Sequence, residues 1–307
     1  MEEFTKNKFK NLTETDKFQR IDICHPIPWY IGIDSENRYS LFAIIESQPQ
    51  PVTSSRMMNV FMGTRKDGNY GITFSLREEK NIELFSKFCD DMIEYTRNIE
   101  SKDSDADYIC GRYIQWQNAF IKTGGKVLSF ESIKGLIGEL TFLKKHMFEK
   151  YGEEKAIDSW IGLAAADQDF SCDETWYEVK TTVSGSLSVR ISSIEQLDLD
   201  KEGHLVVIYL DKNSPTNEDS ISLNNLVNEI YSCIQSKVSR EKFMNKLLLY
   251  GYFHDDLYDN ICFKYNGMNM YKVDSKFPCI RKGSLPNAVQ KVRYDLVLSA
   301  IDDYREN

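Results

Sequence analysis

The sequence contains no apolar run near the roughly eighteen residues that a membrane-spanning helix needs. Its first residues, MEEFTKNKFKNLTETDKF, mix acidic and basic side chains and lack the apolar core of a signal peptide. Hydrophobic residues make up 41% of the 307 residues, an ordinary share for a folded protein. We therefore expect a soluble cytoplasmic protein with no membrane partner and with enough residues for two or three domains.

The sequence also lacks a CxxC pair, so neither a zinc ribbon nor a dithiol redox centre is supported. Its cysteines are odd in number and scattered, at positions 24, 89, 110, 172, 233, 262 and 279. Such spacing is not a disulfide framework. It indicates a reducing compartment in which the cysteines act as small buried side chains.

An excess of positive charge is missing as well, because the formal net charge is −9. This value argues against a protein that coats nucleic acid through bulk electrostatics. A local basic groove is still compatible with it, because phosphate contacts depend on where lysine and arginine cluster. The sequence also shows no internal repeat and no low-complexity tract.

Short apolar runs broken by Pro, Gly, Asp and Asn fill residues 20–76, and this pattern predicts strands. Apolar residues recur at helical spacing in EEKNIELFSKFCDDMIEYTR, which predicts a helix. We therefore expect a β-rich α+β domain over residues 1–105. The polar run NIESKDSDAD, residues 98–107, is typical of a surface connection.

Two helices are predicted next, YICGRYIQWQNAFIKTGG and SFESIKGLIGELTFLKKHMFEKYG, the second with Ser129 as its N-cap. Strands are predicted near DSWIG, DQDFS and TWYEVKTT, followed by a short helical segment ISSIEQLD and a strand HLVVIYL. The order helix, three strands, helix, strand indicates a mixed α/β arrangement of layers. We expect this core, with its leading helix, over residues 106–212.

The remaining residues, 213–307, predict a mixed α+β C-terminal region. ISLNNLVNEIYSCI and REKFMNKLLLYGY have helical patterns, whereas MYKVDSKFPCI is typical of an extended segment. AVQKVRYDLVLSAI fits either a helix or a strand.

The segment DQDFSCDETWYEVKTT carries charges although it is patterned as a hairpin. A two-residue turn at 173–174 pairs Cys172 with Thr175, and it then places Asp169 directly opposite Glu178. The same register places Asp167 opposite Lys180. Because side chains alternate along a strand, these four charged residues share one face.

Two carboxylates in directly opposite positions have β-carbons about 5 Å apart and repel each other. Mg²⁺ would relieve that repulsion, since proteins bind it through one or two carboxylates plus water and phosphate oxygens. The alternative is a salt-bridge network in which Lys180 neutralises Asp167 or Asp169. Buried ion clusters of that kind are poor stabilisers, which favours the metal site.

Glu139 is a second anomaly, because it lies beside the apolar stripe of the helix that begins at Ser129. Gly135 and Gly138 each weaken that helix by about 1 kcal/mol relative to alanine. They predict that another backbone packs closely there. If the hairpin packs against this part of the helix, Glu139 joins its charged face.

Glu139 on a helix, then Asp169, then Glu178-Val179-Lys180 on the next strand resemble the PD-(D/E)XK nuclease superfamily. More narrowly, GLIGELTFL, DSWIG, DQDFS, YEVKTT and ISSIEQLD, in that order, are similar to the bacterial "PD-(D/E)XK motif proteins", which are often encoded beside defence genes. Gln168 stands where the superfamily name has proline, a residue that takes no chemical part.

The resemblance implies a restriction-endonuclease-like core and Mg²⁺-dependent hydrolysis of DNA by a restriction-type endonuclease in anti-phage defence. Asp169, Glu178 and the Val179 carbonyl would bind Mg²⁺, for which Mn²⁺ could substitute. Glu139 would bind a second metal or a metal-bound water. Lys180 would orient or help to deprotonate the attacking water and would stabilise charge on the phosphate.

Three alternatives stay open. The protein could be a nuclease subunit that needs ATPase or methyltransferase partners of a defence complex, a non-catalytic interaction protein on a nuclease-like fold, or a nuclease that cleaves RNA. The sequence does not decide whether it forms a homodimer, or what Asp167, His146 and Gln196 do. Trp176 shares the charged face but is expected in the core. The basic residues expected nearest the site are Lys122, Lys126, Lys134, Lys144, Lys145 and Arg190.

Overall fold

The computed structural model describes residues 4–97, 99, 104–123, 127–161, 168–289 and 291–306. The chain divides into two compact units, residues 1–126 and 127–307, and the boundary falls between the two helices predicted at 108–125 and 129–152. The division into three functional domains stays a prediction. No helix in the described ranges is both long enough and apolar enough to cross a membrane.

The first unit is built on a five-stranded antiparallel sheet with the strand order β1-β2-β3-β5-β4. Its strands are β1 (Phe18–Arg20), β2 (Trp29–Ile33), β3 (Tyr39–Ile45), β4 (Met58–Thr64) and β5 (Tyr70–Leu76). Along β3, Leu41, Ala43 and Ile45 are fully buried while Phe42 and Ile44 are only partly buried. This alternation gives the sheet one core face and confirms the predicted β-rich character.

Three helices accompany this sheet, α1 (Phe4–Lys10), α2 (Ile82–Tyr95) and α3 (Asp105–Thr123). The predicted helices at α2 and α3 are confirmed, whereas α1 was not predicted. Helix α2 buries Phe85, Phe88 and Met92, which recur at helical spacing. The Phe74 ring of β5 lies 5.2 Å from that of Phe88, so the helix packs on the core face of the sheet.

The second unit begins with helices α4 (Phe130–Phe142), α5 (Phe148–Tyr151) and α6 (Glu153–Ser159), and a π-helical turn at Leu143–Met147 joins the first two. The Ser129 side chain accepts a hydrogen bond from the Ser132 backbone N–H, which confirms the predicted N-cap. Helices α7 (Leu223–Cys233) and α8 (Lys237–Tyr250) confirm the two helices predicted in the C-terminal region.

A six-stranded mixed sheet forms the centre of this unit, with the order β10-β11-β9-β7-β6 and β13 paired to β11. Strands β7 and β9 run parallel, whereas the other pairs are antiparallel. The strands are β6 (Phe170–Ser171), β7 (Trp176–Thr182), β9 (Gly203–Asn213), β10 (Ser220–Ser222), β11 (Cys262–Val273) and β13 (Arg305–Glu306). A separate two-stranded sheet joins β8 (Ser188–Ile191) to β12 (Tyr294–Val297).

The central sheet is buried on both faces. Tyr177 and Val179 of β7 belong to the apolar cluster that includes α4, α7 and α8. Trp176 instead belongs to a second cluster, with residues of β8 and β12. Burial on both faces agrees with the continuous apolar run HLVVIYL in β9.

The prediction differs from the structure at three places in this unit. The segment DSWIG is not a strand, because Asp158 and Ser159 end α6 and Trp160 makes only an isolated bridge to Phe170. Strand β8 follows β7 and was not predicted, since SGSLSVR has few apolar residues. The helical segment in ISSIEQLD is one short 3₁₀ turn, Ile194–Gln196.

The seven cysteines form no disulfide, in agreement with the sequence pattern. Cys89, Cys110 and Cys262 are buried as expected, and Cys172 and Cys279 are partly buried. Cys24 and Cys233 are exposed, so the prediction of buried thiols was wrong for these two.

Candidate active site

The hairpin of β6 and β7 has the register that the turn at 173–174 predicts. Phe170 pairs with Tyr177 and Ser171 with Trp176, and the Cys172 N–H donates to the Thr175 carbonyl at 2.8 Å. A two-residue turn fixes this register because it leaves only one way to pair the flanking residues. The backbone therefore brings Asp169 beside β7.

Asp169 lies just before β6 and is held against β7 by its side chain. Its Oδ2 atom accepts a hydrogen bond of 2.8 Å from the Val179 backbone N–H. Its backbone carbonyl accepts another, of 2.9 Å, from the Ile161 N–H. The first hydrogen bond holds the carboxylate at Val179, the residue between Glu178 and Lys180 on β7. The second holds the backbone of Asp169.

Glu178 and Lys180 project from the same face of β7, as their spacing of two residues requires. Glu178 is 1% exposed, and its Oε1 atom lies 2.6 Å from the Lys180 Nζ. The Lys180 Nζ also donates to the Gln196 Oε1 at 3.1 Å. The ammonium is thus held between a buried carboxylate and a side-chain amide.

Gln196 is held in turn by the Ser192 backbone N–H, which donates to the same Oε1 at 2.8 Å. Gln168, at the position of the superfamily's proline, is buried and donates to the Glu195 carbonyl at 2.7 Å. The two glutamines therefore tie the 3₁₀ turn at 194–196 to the hairpin. Gln196 supports the lysine, a contact that the sequence alone did not assign.

Glu139 lies on α4 and is 7% exposed. Its Oε2 atom accepts a 2.8 Å hydrogen bond from the Trp160 indole Nε1–H. Its Oε1 atom accepts a second hydrogen bond, from the Tyr250 hydroxyl. Both carboxylate oxygens therefore have a donor, as a buried carboxylate requires.

The close approach of α4 to the hairpin occurs at Gly138. A β-carbon at this position would lie 2.1 Å from the Thr181 Cγ2 atom and 3.8 Å from the Val179 Cγ1 atom. The predicted close packing is therefore confirmed at Gly138, although side chains of β7 make it. At Gly135 a β-carbon would meet nothing within 4 Å, so the prediction was wrong for that glycine.

Electrostatic interactions join the three carboxylates into one site. Burial first, and then the charge of Asp169, raises the pKa of Glu139 well above its usual value, and Glu178 adds to the effect. The hydrogen bonds from Tyr250 and Trp160 act in the opposite direction. Keeping the three groups ionised near one another therefore costs free energy.

Asp169 shows the same effect. Burial raises its pKa to about 6, although the Val179 N–H and the charge of Lys180 act to lower it. Perturbed carboxyl pKa values of this kind concentrate at functional sites. Lys180 neutralises Glu178 directly, whereas the salt-bridge alternative had paired the lysine with Asp167 or Asp169.

These residues fit a divalent metal by the chemistry of their donors. With all three carboxyl groups ionised, one ammonium leaves negative charge that a cation would neutralise, and hard oxygen ligands suit Mg²⁺ and Mn²⁺. The oxygens of Glu139, Asp169 and Glu178 are not all within 4.8 Å of one another. This spread is compatible with Mg²⁺, which proteins usually bind through one or two carboxylates plus water.

A compact group of potential metal ligands lies elsewhere in the second unit. His254, Asp256 and Asp259 place ligand atoms within 4.8 Å of one another, and all three residues are exposed. Asp259 also accepts a 3.0 Å hydrogen bond from the Asn224 side-chain amide. None of these residues was predicted as a site residue, and we assign them no function.

His146 and Trp176, two other residues considered from the sequence, make contacts with groups other than the three carboxylates. His146 stacks on Phe142 at 4.9 Å between ring centroids, and burial lowers its pKa. Trp176 is 2% exposed, and its indole N–H donates to the Lys201 carbonyl at 2.7 Å, so the expected core position is confirmed. Asp167 lies outside the described residues.

The candidate basic residues are partly engaged with other side chains. Lys144 pairs with Glu229 at 2.7 Å, and Arg190 pairs with Asp295 at 3.3 Å. The Lys145 ammonium lies 4.8 Å from the ring centroid of Tyr265. Burial lowers the pKa of Lys134. Lys126 and the side chain of Lys122 lie outside the described part of the chain.

Trp160 and Tyr250 contact the site but were not predicted as site residues. Trp160 follows Glu139 by 21 residues, and Tyr250 follows it by 111. No local pattern connects residues so far apart. The one signal in the sequence was an aromatic residue with a hydrogen-bond donor at the end of α6 and of α8. A buried tryptophan or tyrosine usually has a hydrogen-bond partner, so each of these residues predicts one.

A family model described as "Putative PD-(D/E)XK family member", DUF4420, matches residues 5–299. The chain belongs to this family. The match spans both compact units, so the family model covers the N-terminal sheet as well as the candidate site. Membership suggests nuclease-type activity, and PD-(D/E)XK nucleases typically use divalent metals. No curated protein and no solved structure matches the chain.

Proposed function

We propose that the protein is a divalent-metal-dependent nuclease that hydrolyses phosphodiester bonds in DNA. The observation that supports this most strongly is the meeting of three carboxylates and one lysine at the contact between α4 and the hairpin. Glu139, Asp169 and Glu178 interact electrostatically, and Lys180 lies 2.6 Å from Glu178. Such a cluster stabilises a fold poorly, and it suits the chemistry of the PD-(D/E)XK family.

Asp169 and Glu178 are the residues that would hold Mg²⁺ or Mn²⁺, with the Val179 carbonyl and Glu139 as further oxygen ligands. When bound, the metal stabilises charge on the phosphate and lowers the pKa of water. The Val179 N–H holds the Asp169 carboxylate at 2.8 Å, which reduces its freedom to turn away from the site. The chain therefore presents these oxygens in a largely fixed arrangement.

Lys180 would orient the attacking water and stabilise the charge that develops on the phosphate. Its side chain is 15% exposed, so the lysine can contact a substrate while keeping its contact with Glu178. Gln196 fixes the other side of the ammonium at 3.1 Å. A lysine held between two acceptors places its remaining N–H bond in a defined direction.

The DNA substrate and a restriction-type role in defence against phage belong to this proposal and rest on the resemblance to defence-associated PD-(D/E)XK proteins. In the alternative form of the proposal, the protein cleaves DNA only together with partner proteins of a defence complex. The net charge of −9 supports that form, because an acidic protein binds DNA weakly through bulk electrostatics.

The test is cleavage of supercoiled plasmid by the purified protein with Mg²⁺ or Mn²⁺ beside Lys180→Ala and Asp169→Asn. We expect nicked or linear products from the wild type and a loss of at least about a hundredfold in both variants. Lys242→Ala is the matched control, because Lys242 also pairs with a carboxylate, Asp158, at 2.6 Å. This variant should cleave normally.

Equal cleavage by the wild type and Lys180→Ala would overturn the assignment of the site. No cleavage by the wild type with either metal would overturn an independent nuclease and favour the partner-dependent form. A single-stranded RNA of matched length, tested in parallel, separates a DNA-specific enzyme from one that cleaves both polymers.

A further inference from the structure

Helix α8 supplies a hydrogen-bond donor to Glu139 from outside the predicted nuclease core, which ends at residue 212. Tyr250, the last residue of this helix, is 8% exposed, and its hydroxyl donates to the Glu139 Oε1 atom. Burial first, and then the charges of Glu139, Asp169 and Glu178, raises the pKa of Tyr250 well above its usual value. The hydroxyl therefore stays protonated and lies in the field of all three carboxylates.

The second donor to Glu139 is held by the same helix. The Trp160 and Tyr250 rings stack at 5.8 Å between centroids with 19° between their planes. Trp160 also contacts Phe243, one of the buried residues of α8, at 5.9 Å. Because Trp160 is fully buried, its indole has little freedom to turn its N–H away from Glu139.

Helix α8 fixes the backbone of Trp160 as well. The Lys246 Nζ donates to the carbonyls of Ile157 at 2.6 Å and Asp158 at 3.1 Å, and it also donates to the Trp160 carbonyl. These carbonyls lie at the C-terminal end of α6, where a cation is favourable. Lys246 and Tyr250 are four residues apart, so both project from one face of α8.

We propose that Trp160 and Tyr250 form a two-donor clamp that orients the Glu139 carboxylate toward the metal, with α8 as the element that positions both donors. The proposal rests on the nuclease function proposed above. Each carboxylate oxygen can accept two hydrogen bonds or metal contacts, and the clamp uses one on each oxygen. One position on each oxygen is left for a metal ion or a metal-bound water beside Asp169 and Glu178, whose charges act on Glu139.

Both aromatic residues are positioning residues, because they act on the metal through Glu139. Removing a donor leaves the buried carboxylate with one fewer partner and free to rotate. Loss of such outer partners typically weakens metal binding by about 10–100-fold. Tyr250→Phe and Trp160→Phe each remove one donor and keep an aromatic ring, so each should weaken Mn²⁺ binding by about tenfold.

Tyr252→Phe is the matched control. Tyr252 is 5% exposed, and its hydroxyl donates to the Asn224 Oδ1 atom at 2.9 Å, away from Glu139. This variant loses a buried tyrosine hydroxyl of the same kind but leaves the clamp intact. A structural effect of losing such a hydroxyl would appear equally in Tyr250→Phe and Tyr252→Phe.

The experiment measures Mn²⁺ binding to the full-length protein without DNA, by the electron paramagnetic resonance signal of free Mn²⁺. Asp169→Asn lacks a proposed metal ligand and gives the baseline for Mn²⁺ binding outside the site. The thermal unfolding midpoint of each variant shows whether it is folded. Weaker binding by Tyr250→Phe and Trp160→Phe, with Tyr252→Phe equal to the wild type, supports the clamp. If one of the two clamp variants does not fold, the other carries the test.

Binding by Tyr250→Phe and Trp160→Phe as tight as that by Tyr252→Phe would overturn the clamp and leave the proposed function standing. Mn²⁺ binding by the wild type no tighter than that by Asp169→Asn would overturn the metal-dependent function, and the clamp with it. A drop in cleavage without a drop in Mn²⁺ affinity would also overturn the clamp, because the role assigned to the two donors is to orient a metal ligand.

Discussion

Replacing Gly138 with alanine tests how closely α4 packs against β7. A β-carbon there would lie 2.1 Å from the Thr181 Cγ2 atom, well inside van der Waals contact. Gly135 is on the same helix, and a β-carbon there would meet nothing within 4 Å. The two glycines therefore form a matched pair in which only one substitution meets a steric obstacle.

The expected changes in unfolding free energy follow from two opposing effects. Replacing glycine with alanine inside a helix stabilises it by about 1 kcal/mol, and overpacking a tight contact costs about 1–3 kcal/mol. Gly135→Ala should therefore stabilise the protein by about 1 kcal/mol. Gly138→Ala should be neutral or destabilising by up to about 2 kcal/mol.

Urea unfolding of the second unit, followed by circular dichroism at pH 7 in the presence of a chelator, measures both changes. Thr181→Ser removes the Cγ2 atom that a new β-carbon would meet. Combined with Gly138→Ala, this substitution should restore about 1 kcal/mol of the unfolding free energy that Gly138→Ala loses. Equal stabilisation by the two alanines, or strict additivity in the double variant, would refute close packing at Gly138.

Two further predictions concern the charged side chains of the site. Without metal, stability should fall as pH rises from about 4 to about 7, because burial raises the pKa of folded Asp169 from 3.8 to about 6. Between these two pH values Asp169 binds a proton more tightly in the folded protein than in the unfolded chain. The free energy of unfolding that this proton contributes is fully present below the unfolded pKa of 3.8 and is lost as pH rises through the folded pKa of about 6. Asp169→Asn should reduce the fall in unfolding free energy over this pH range by about 3 kcal/mol at most. If urea unfolding at a series of pH values gives the same pH dependence in the variant, Asp169 is not the group responsible. Gln196→Leu removes an acceptor from Lys180 and should lower the cleavage rate about tenfold with little change in KM for DNA. Normal single-turnover kinetics would show that Gln196 does not support the lysine.

Much of the site could be predicted because its decisive features are local in sequence. The turn at 173–174 determines the hairpin register, and alternation along a strand then assigns Glu178 and Lys180 to one face. The N-cap at Ser129 and the apolar stripe predicted α4 in the same way. Each of these features depends on residues that are close to one another in the sequence.

The errors arose where tertiary contacts override local pattern. DSWIG is apolar enough for a strand, yet α6 continues through Ser159 and the strand contact is reduced to the bridge at Trp160. Strand β8 has little strand signal of its own and forms by pairing with β12, more than a hundred residues later in the chain. Gly135 and Gly138 look alike in the sequence, and only the position of Thr181 distinguishes them.

The same division applies to the candidate site itself. Spacing and turn length were enough to predict that Asp169, Glu178 and Lys180 share a surface and to suggest that Glu139 joins them. Which group each carboxylate contacts was decided by packing, because Trp160 and Tyr250 reach Glu139 only when α6 and α8 are in place. Periodicity describes one element at a time, whereas a buried carboxylate takes its hydrogen bonds from whichever donors the folded core brings within reach.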